Sequence, residues 1–100
     1  SDEATIMREI REEIGWSGVT VGEEIFQIEK QKPVPHTYRA YLCRVSIEES
    51  KRLVLGPEVD DAAMFSLDTV RELLAKGQIL SPHSEAVQTY LYQLENEFVA

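Results

Sequence analysis

The stretch HTYRAYLCRVSI, residues 36–47, constrains the fold more than any other part of the chain. Read as a strand, it sends Tyr38, Ala40 and Leu42 to one face and Tyr41, Cys43, Val45 and Ile47 to the other. Apolar side chains on both faces need cover on both faces, which predicts layers of helix, sheet and helix. At 100 residues the chain has material for one core, so the expectation is a single α+β domain spanning 1–100.

The remaining periodicities supply the other layers. Residues 2–14 predict a helix, with Ile6, Met7, Ile10 and Ile14 as its apolar stripe. Ser1 serves as its N-cap, Asp2 and Glu3 sit where the helix dipole favours anions, and Gly15 stands at the left-handed C-terminal position. From about Val19 to Gln31 the pattern is strand-like, but parity slips between Ile25 and Phe26 and predicts a bulge or break near Gly22. KPVP at 32–35 predicts a turn, because its prolines leave little room for ladder bonds. EESKR at 48–52 is expected as a charged connection, Gly56-Pro57 as a break, and AAMFSL at 62–67 as a short buried strand. Ser66 or Asp68 then caps a helix through Lys76, stopped by Gly77. A last helix has Ser81 as N-cap and Pro82 at its first position, and buries Val87, Tyr90, Leu91, Leu94 and Phe98. No repeat, low-complexity tract or linker interrupts this order.

Charge narrows the function. The chain carries 18 acidic against 10 basic residues, a net charge of −8. That balance argues against a grip on a nucleic acid polymer, which needs clustered Lys and Arg. It leaves room for small phosphorylated ligands, because a divalent cation reverses the local sign of an acidic site. The apolar runs are too short to span a membrane, and no secretory signal is expected from the opening residues. The lone Cys43 has no internal disulfide partner and sits in strand-like surroundings, so a buried thiol and a reducing, cytoplasmic setting are expected.

Within that charge one cluster breaks local rules. At helical spacing Glu9, Glu12 and Glu13 fall on an arc opposite Met7, Ile10 and Ile14. Like-charge pairs three or four residues apart cost roughly 0.2–0.5 kcal/mol each. Glu12 and Glu13 also lie in the last turn, where the dipole disfavours anions. One reading is a solvated acidic face, with Arg8 relieving Glu12 one turn on. The other is a site for a hard cation, since adjacent carboxylate oxygens are what Mg²⁺ or Mn²⁺ prefers.

Arg8-Glu9-Ile10-Arg11-Glu12-Glu13-Ile14-Gly15-Trp16 resembles the second half of the Nudix box of the Nudix hydrolases. That half reads Arg-Glu, an aliphatic residue, any residue, Glu-Glu, any residue, Gly and a bulky apolar residue, and every specified position matches. The resemblance implies a Nudix-like α/β/α sandwich around a mixed sheet. It also implies metal-dependent hydrolysis of a nucleoside diphosphate linked to another moiety, with Mg²⁺ or Mn²⁺ as cofactor. Carried across by position, Glu12 and Glu13 are metal ligands. Glu9 is a ligand or the base that activates water, and Arg8 orients the carboxylates. Relatives often place a further acid before the strand corresponding to residues 62–67. Of Glu58, Asp60 and Asp61, position favours Glu58, and an acidic surface turn is the plainer reading.

The first half of the box, with its Gly and a further Glu, would fall before Ser1, as would the strands that precede it. The expectation is therefore a C-terminal part of a longer protein, lacking some of its sheet. From that departure comes an alternative function: a catalytically incomplete fragment acting as a binding or strand-swapped interaction module, with a homodimer as its simplest form. Other residues have structural readings. His36 and His83 lack ligand-spaced companions, and Ser81 and Ser84 suit a helix start. Cys43 reads as core, and Tyr38, Tyr41 and Phe26 as packing. Pro33 lies near where relatives acting on ADP-ribose carry a proline, but a hairpin turn explains it, so the substrate stays open.

Overall fold

A computed structural model describes residues 2–97. The Ser1 cap and the Phe98 contact lie outside the described residues. The elements run α1 (Asp2–Ile14), β1 (Thr20–Lys30), β2 (His36–Arg44), α2 (Ile47–Ser50), α3 (Leu67–Ala75) and α4 (His83–Glu97). β1 and β2 pair as a two-stranded antiparallel sheet. Gly22 lies against Leu42 and Phe26 against Tyr38, so one strand advances as the other retreats. The α+β class stands. In place of the expected mixed sheet, the described residues hold this one antiparallel pair.

Both faces of β2 are half-covered: Ala40, Tyr41, Leu42 and Cys43 are all partly buried. Of the bulge or break expected near Gly22, the break does not occur, and β1 is one strand. The glycine has a different cause, since a Cβ at position 22 would stand 2.8 Å from the Leu42 carbonyl oxygen. β2 ends earlier than its alternation suggests. Ser46 Oγ accepts from the Glu49 backbone N–H at 3.1 Å and starts α2, which turns the expected strand residue Ile47 into an exposed first helical residue. The cap therefore overrides the strand pattern and gives part of the 48–52 connection a helical turn.

The chain divides into two compact units, Ser1–Glu23 with Leu42–Phe65 and Glu24–Tyr41 with Ser66–Ala100. In the first, α1 half-buries Ile6, Ile10 and Ile14, and Val19 is the buried residue. Gly15 closes α1 as expected, at φ 81°, with its N–H donating to Arg11 O at 3.0 Å. Residues 62–66 are not the short buried strand that was expected. They carry no regular structure, and Met64 and Phe65 are more than half exposed. Among the described residues no strand lies beside them to take up their backbone groups, and a short apolar run without a ladder partner has no reason to extend.

Among the described residues of the second unit, Ala86 and Leu91 of α4 are the buried ones. Ser66 caps α3: its Oγ accepts from the Thr69 N–H at 3.2 Å and donates to Thr69 Oγ1 at 3.0 Å. Asp68 instead meets Arg71 at 3.2 Å on the surface. Gly77, at φ 68°, donates to Leu74 O and ends the helix as expected. Ser66→Ala is expected to lower unfolding stability by about 1 kcal/mol, and Asp68→Ala by less than half of that, in urea titrations. α4 starts one residue later than expected. Pro82 stays outside it, its carbonyl accepting from Ala86 N at 3.2 Å, and Ser81 Oγ donates to the Glu85 carboxylate at 2.8 Å.

The Tyr38 hydroxyl shares a 2.9 Å hydrogen bond with His83 Nδ1, and their rings meet edge to face at 5.3 Å. Burial, and then the nearby Glu85 charge, push the Tyr38 phenol above its ordinary value of 10.0. A phenol held protonated in the folded state contributes stability that is complete below the unfolded pKa of about 10 and lost as pH rises through the folded value. Thermal melts above that pH are therefore expected to fall more steeply for the native chain than for Tyr38→Phe. Parallel slopes would remove Tyr38 as the cause.

Candidate metal centre

The helix that carries the carboxylates ends where its backbone needs partners. The last carbonyls of α1 have no acceptor role inside the helix. The segment after α2 supplies the donors: Val54 N–H donates to Ile14 O at 3.0 Å and Gly56 N–H to Glu13 O at 2.9 Å. This seating is close enough to need two glycines. A Cβ on Gly15 would stand 2.8 Å from Val54 Cβ, and a Cβ on Gly56 would collide with Glu12 O. Val59 N–H then donates back to Gly56 O at 3.2 Å, closing a turn over Pro57 and Glu58.

The consequence is a cleft of about 390 Å³ lined by Glu12, Glu13, Gly56, Pro57, Glu58 and Val59. Three of the carboxylates singled out from the sequence thus border one space, although Glu58 is distant from the others along the chain. Glu9 does not line it and sits exposed on α1. Arg8 Nε approaches Glu12 Oε1 at 4.0 Å, with both side chains largely exposed. An exposed pair of that kind is worth about 0.3–0.5 kcal/mol, so it relieves Glu12 without fixing it. Asp60 and Asp61 are exposed, and Asp61 Oδ1 accepts from Ala62 N–H at 2.9 Å.

The donor set has the chemistry of a hard-cation site, since it consists of carboxylate oxygens only. In the conformation seen, no group of three or more His, Cys, Asp or Glu among the described residues is placed to hold an ion. Glu12, Glu13 and Glu58 are all exposed, so packing does not fix their side-chain rotamers.

Residues read as structural from the sequence have structural partners. His36 Nδ1 lies 2.7 Å from Val34 O, and His83 meets Tyr38. Ser84 Oγ donates to Glu85 Oε1 at 3.1 Å. Cys43 is half-buried rather than fully buried, and desolvation pushes its thiol up, away from nucleophilic use at neutral pH. Its alkylation at pH 8 is expected to run several-fold slower than that of a free small thiol; equal rates would show that the half-burial does not shield it.

Two contributors were not singled out from the sequence. Gly56 looked like a plain break, and only the approach of Glu12 O reveals why no side chain fits there. Glu49 Oε1 accepts from Ser17 N–H at 2.9 Å and from Gly18 N–H at 3.4 Å, tying α2 to the turn after α1. A glutamate within a charged run gives no sign of such a distant backbone partner.

No helix of the described residues is long and apolar enough to cross a membrane. No family model matches the chain, and neither a curated protein nor a solved structure matches it.

Proposed function

We propose that the chain is a metal-dependent, Nudix-type pyrophosphohydrolase that cleaves the diphosphate of a nucleoside diphosphate linked to another moiety. The observation that supports this most is the shared cleft: Glu58, picked out by position in the sequence, borders the same space as Glu12 and Glu13. In this reading Glu12, Glu13 and Glu58 hold Mg²⁺ or Mn²⁺. A bound divalent ion supplies neutralisation of phosphate oxygens and of the leaving group. Arg8 steadies Glu12 through the pair one turn apart. Glu9 stands outside the cleft on the exposed face of α1, and the resemblance gives it the role of a ligand or of the base that would activate water. The fold implied is the α/β/α sandwich of that family.

The test is release of nucleotide from a panel of nucleoside diphosphate derivatives with Mg²⁺ or Mn²⁺. Turnover should fall at least about hundredfold in Glu12→Gln with Glu13→Gln, the scale of a lost charge-stabilising group. Unchanged turnover in that variant overturns the assignment.

A second reading, an interaction module without catalysis, draws support from exposed apolar side chains. Val54, Met64 and Phe65 are each more than half exposed within the first unit. Calorimetry with Mn²⁺ separates the two. Heat of binding that Glu12→Gln removes favours the hydrolase, and none favours the module.

A further inference from the structure

The carboxylate cleft has α1 as one wall and residues 56–59 as the other, and the second wall belongs to no helix or strand. Its seating on α1 through the Val54 and Gly56 N–H groups consists of two neutral hydrogen bonds. A segment with no ladder or helix of its own opens locally when little else restrains it. A further attachment lies just upstream, at Glu49.

Glu49 is tied through backbone and side chain alike. Its N–H donates to Ser46 Oγ at 3.1 Å, and its carbonyl accepts from Arg52 N–H at 2.9 Å. Its carboxylate accepts from Ser17 N–H at 2.9 Å and from Gly18 N–H at 3.4 Å. A carboxylate accepting from backbone N–H groups makes a stronger kind of bond than a neutral carbonyl does. Glu49 is half-buried, whereas Glu48 and Lys51 on either side of α2 are exposed. Ser17 and Gly18 lie three and four residues past the end of α1, so the side chain holds α2 to the same end of the helix that Val54 and Gly56 meet. Only two residues separate Arg52 from Val54, at most about 7 Å of chain. Movement of α2 off the Ser17–Gly18 turn therefore pulls on Val54, then on Gly56, and on Glu58 two residues beyond. All of these residues belong to one compact unit.

We propose that Glu49 is a positioning residue of the carboxylate cleft. By holding α2 to Ser17 and Gly18 it keeps the loop after α2 seated on α1, with Glu58 bordering the same space as Glu12 and Glu13. The consequence for Mn²⁺ rests on the reading of this cleft as a metal site; the seating of the loop does not.

The test therefore has two parts, the first without metal. Amide hydrogen exchange at Val54 and Gly56 is expected to quicken about tenfold in Glu49→Ala. Glu49→Gln keeps an acceptor oxygen and is expected to recover most of the protection. Lys76 and Ala86, whose N–H groups are bonded within the other unit, are expected to exchange as in the native chain. Unchanged exchange at Val54 and Gly56 overturns the proposal. So does equal acceleration at Lys76 and Ala86, which marks a general loss of stability. The second part is calorimetry with Mn²⁺. Affinity is expected to fall about tenfold in Glu49→Ala, the low end of what removing an outer partner of a metal ligand costs. In a Glu58→Gln background the same substitution is expected to change nothing, because the side chain that the loop places is already gone. Equal weakening in both backgrounds overturns the proposal. A native chain that binds no Mn²⁺ overturns the metal reading instead, and the exchange rates still decide the role of Glu49.

Discussion

Replacing Gly56 with alanine is expected to cost about 2–4 kcal/mol of unfolding stability, a large part of the roughly 5–15 kcal/mol a domain has. The reason is space alone. Gly56 is outside the left-handed region that favours glycine, yet its missing Cβ is all that separates it from Glu12 O. A methyl group there forces the segment off α1. That breaks the Gly56–Glu13 and Val54–Ile14 hydrogen bonds and leaves two helix-end carbonyls without partners, each worth about 1 kcal/mol. Gly77→Ala is the control. Gly77 sits at φ 68° with nothing within 4 Å of its added Cβ, so only backbone strain of about 1–2 kcal/mol applies. Urea titration of both variants decides the matter. A Gly56→Ala loss no larger than that of Gly77→Ala would show that the segment is not seated on the helix.

Such a contact marks where sequence reasoning stops. Local chemistry was legible: the isoleucines of the α1 stripe (though not Met7, which is exposed), the glycine stop of α1, the Ser66 cap and the Gly77 stop of α3 each depend on residues within one or two turns. Where two local signals competed, the outcome was not. Residues 45–47 continue the alternation of β2, but Ser46 also offers a cap, and the cap prevails. Residues 62–66 have strand composition, but a strand exists only beside another, and no periodicity reveals whether a neighbour is present. For the candidate site, Glu12 and Glu13 were legible as neighbours on one helix. Their approach to Glu58 depends on a loop that folds back from far along the chain, which Gly56 permits and the sequence does not announce.

A second large effect concerns the carboxylates themselves, and its sign depends on metal. Without divalent ions, Glu12→Gln with Glu13→Gln is expected to raise stability by about 0.5–1.5 kcal/mol. It removes like-charge pairs with Glu9 and two anions from the dipole's unfavourable end, at the expense of one exposed Arg8–Glu12 pair. With Mn²⁺ at about a hundred times its dissociation constant, the native chain gains about 2.7 kcal/mol by linkage, and the variant loses most of that gain. The order of the two melting temperatures should therefore reverse between chelator and manganese. A surface acidic patch with no ion predicts the first half of this result and not the second, because neutralised repulsion stabilises in either buffer. Parallel melting temperatures in both buffers would mean that the crowding of Glu9, Glu12 and Glu13 is relieved by solvent alone. A reversal that Glu58→Gln shares in part would bring the loop after Gly56 into the same site.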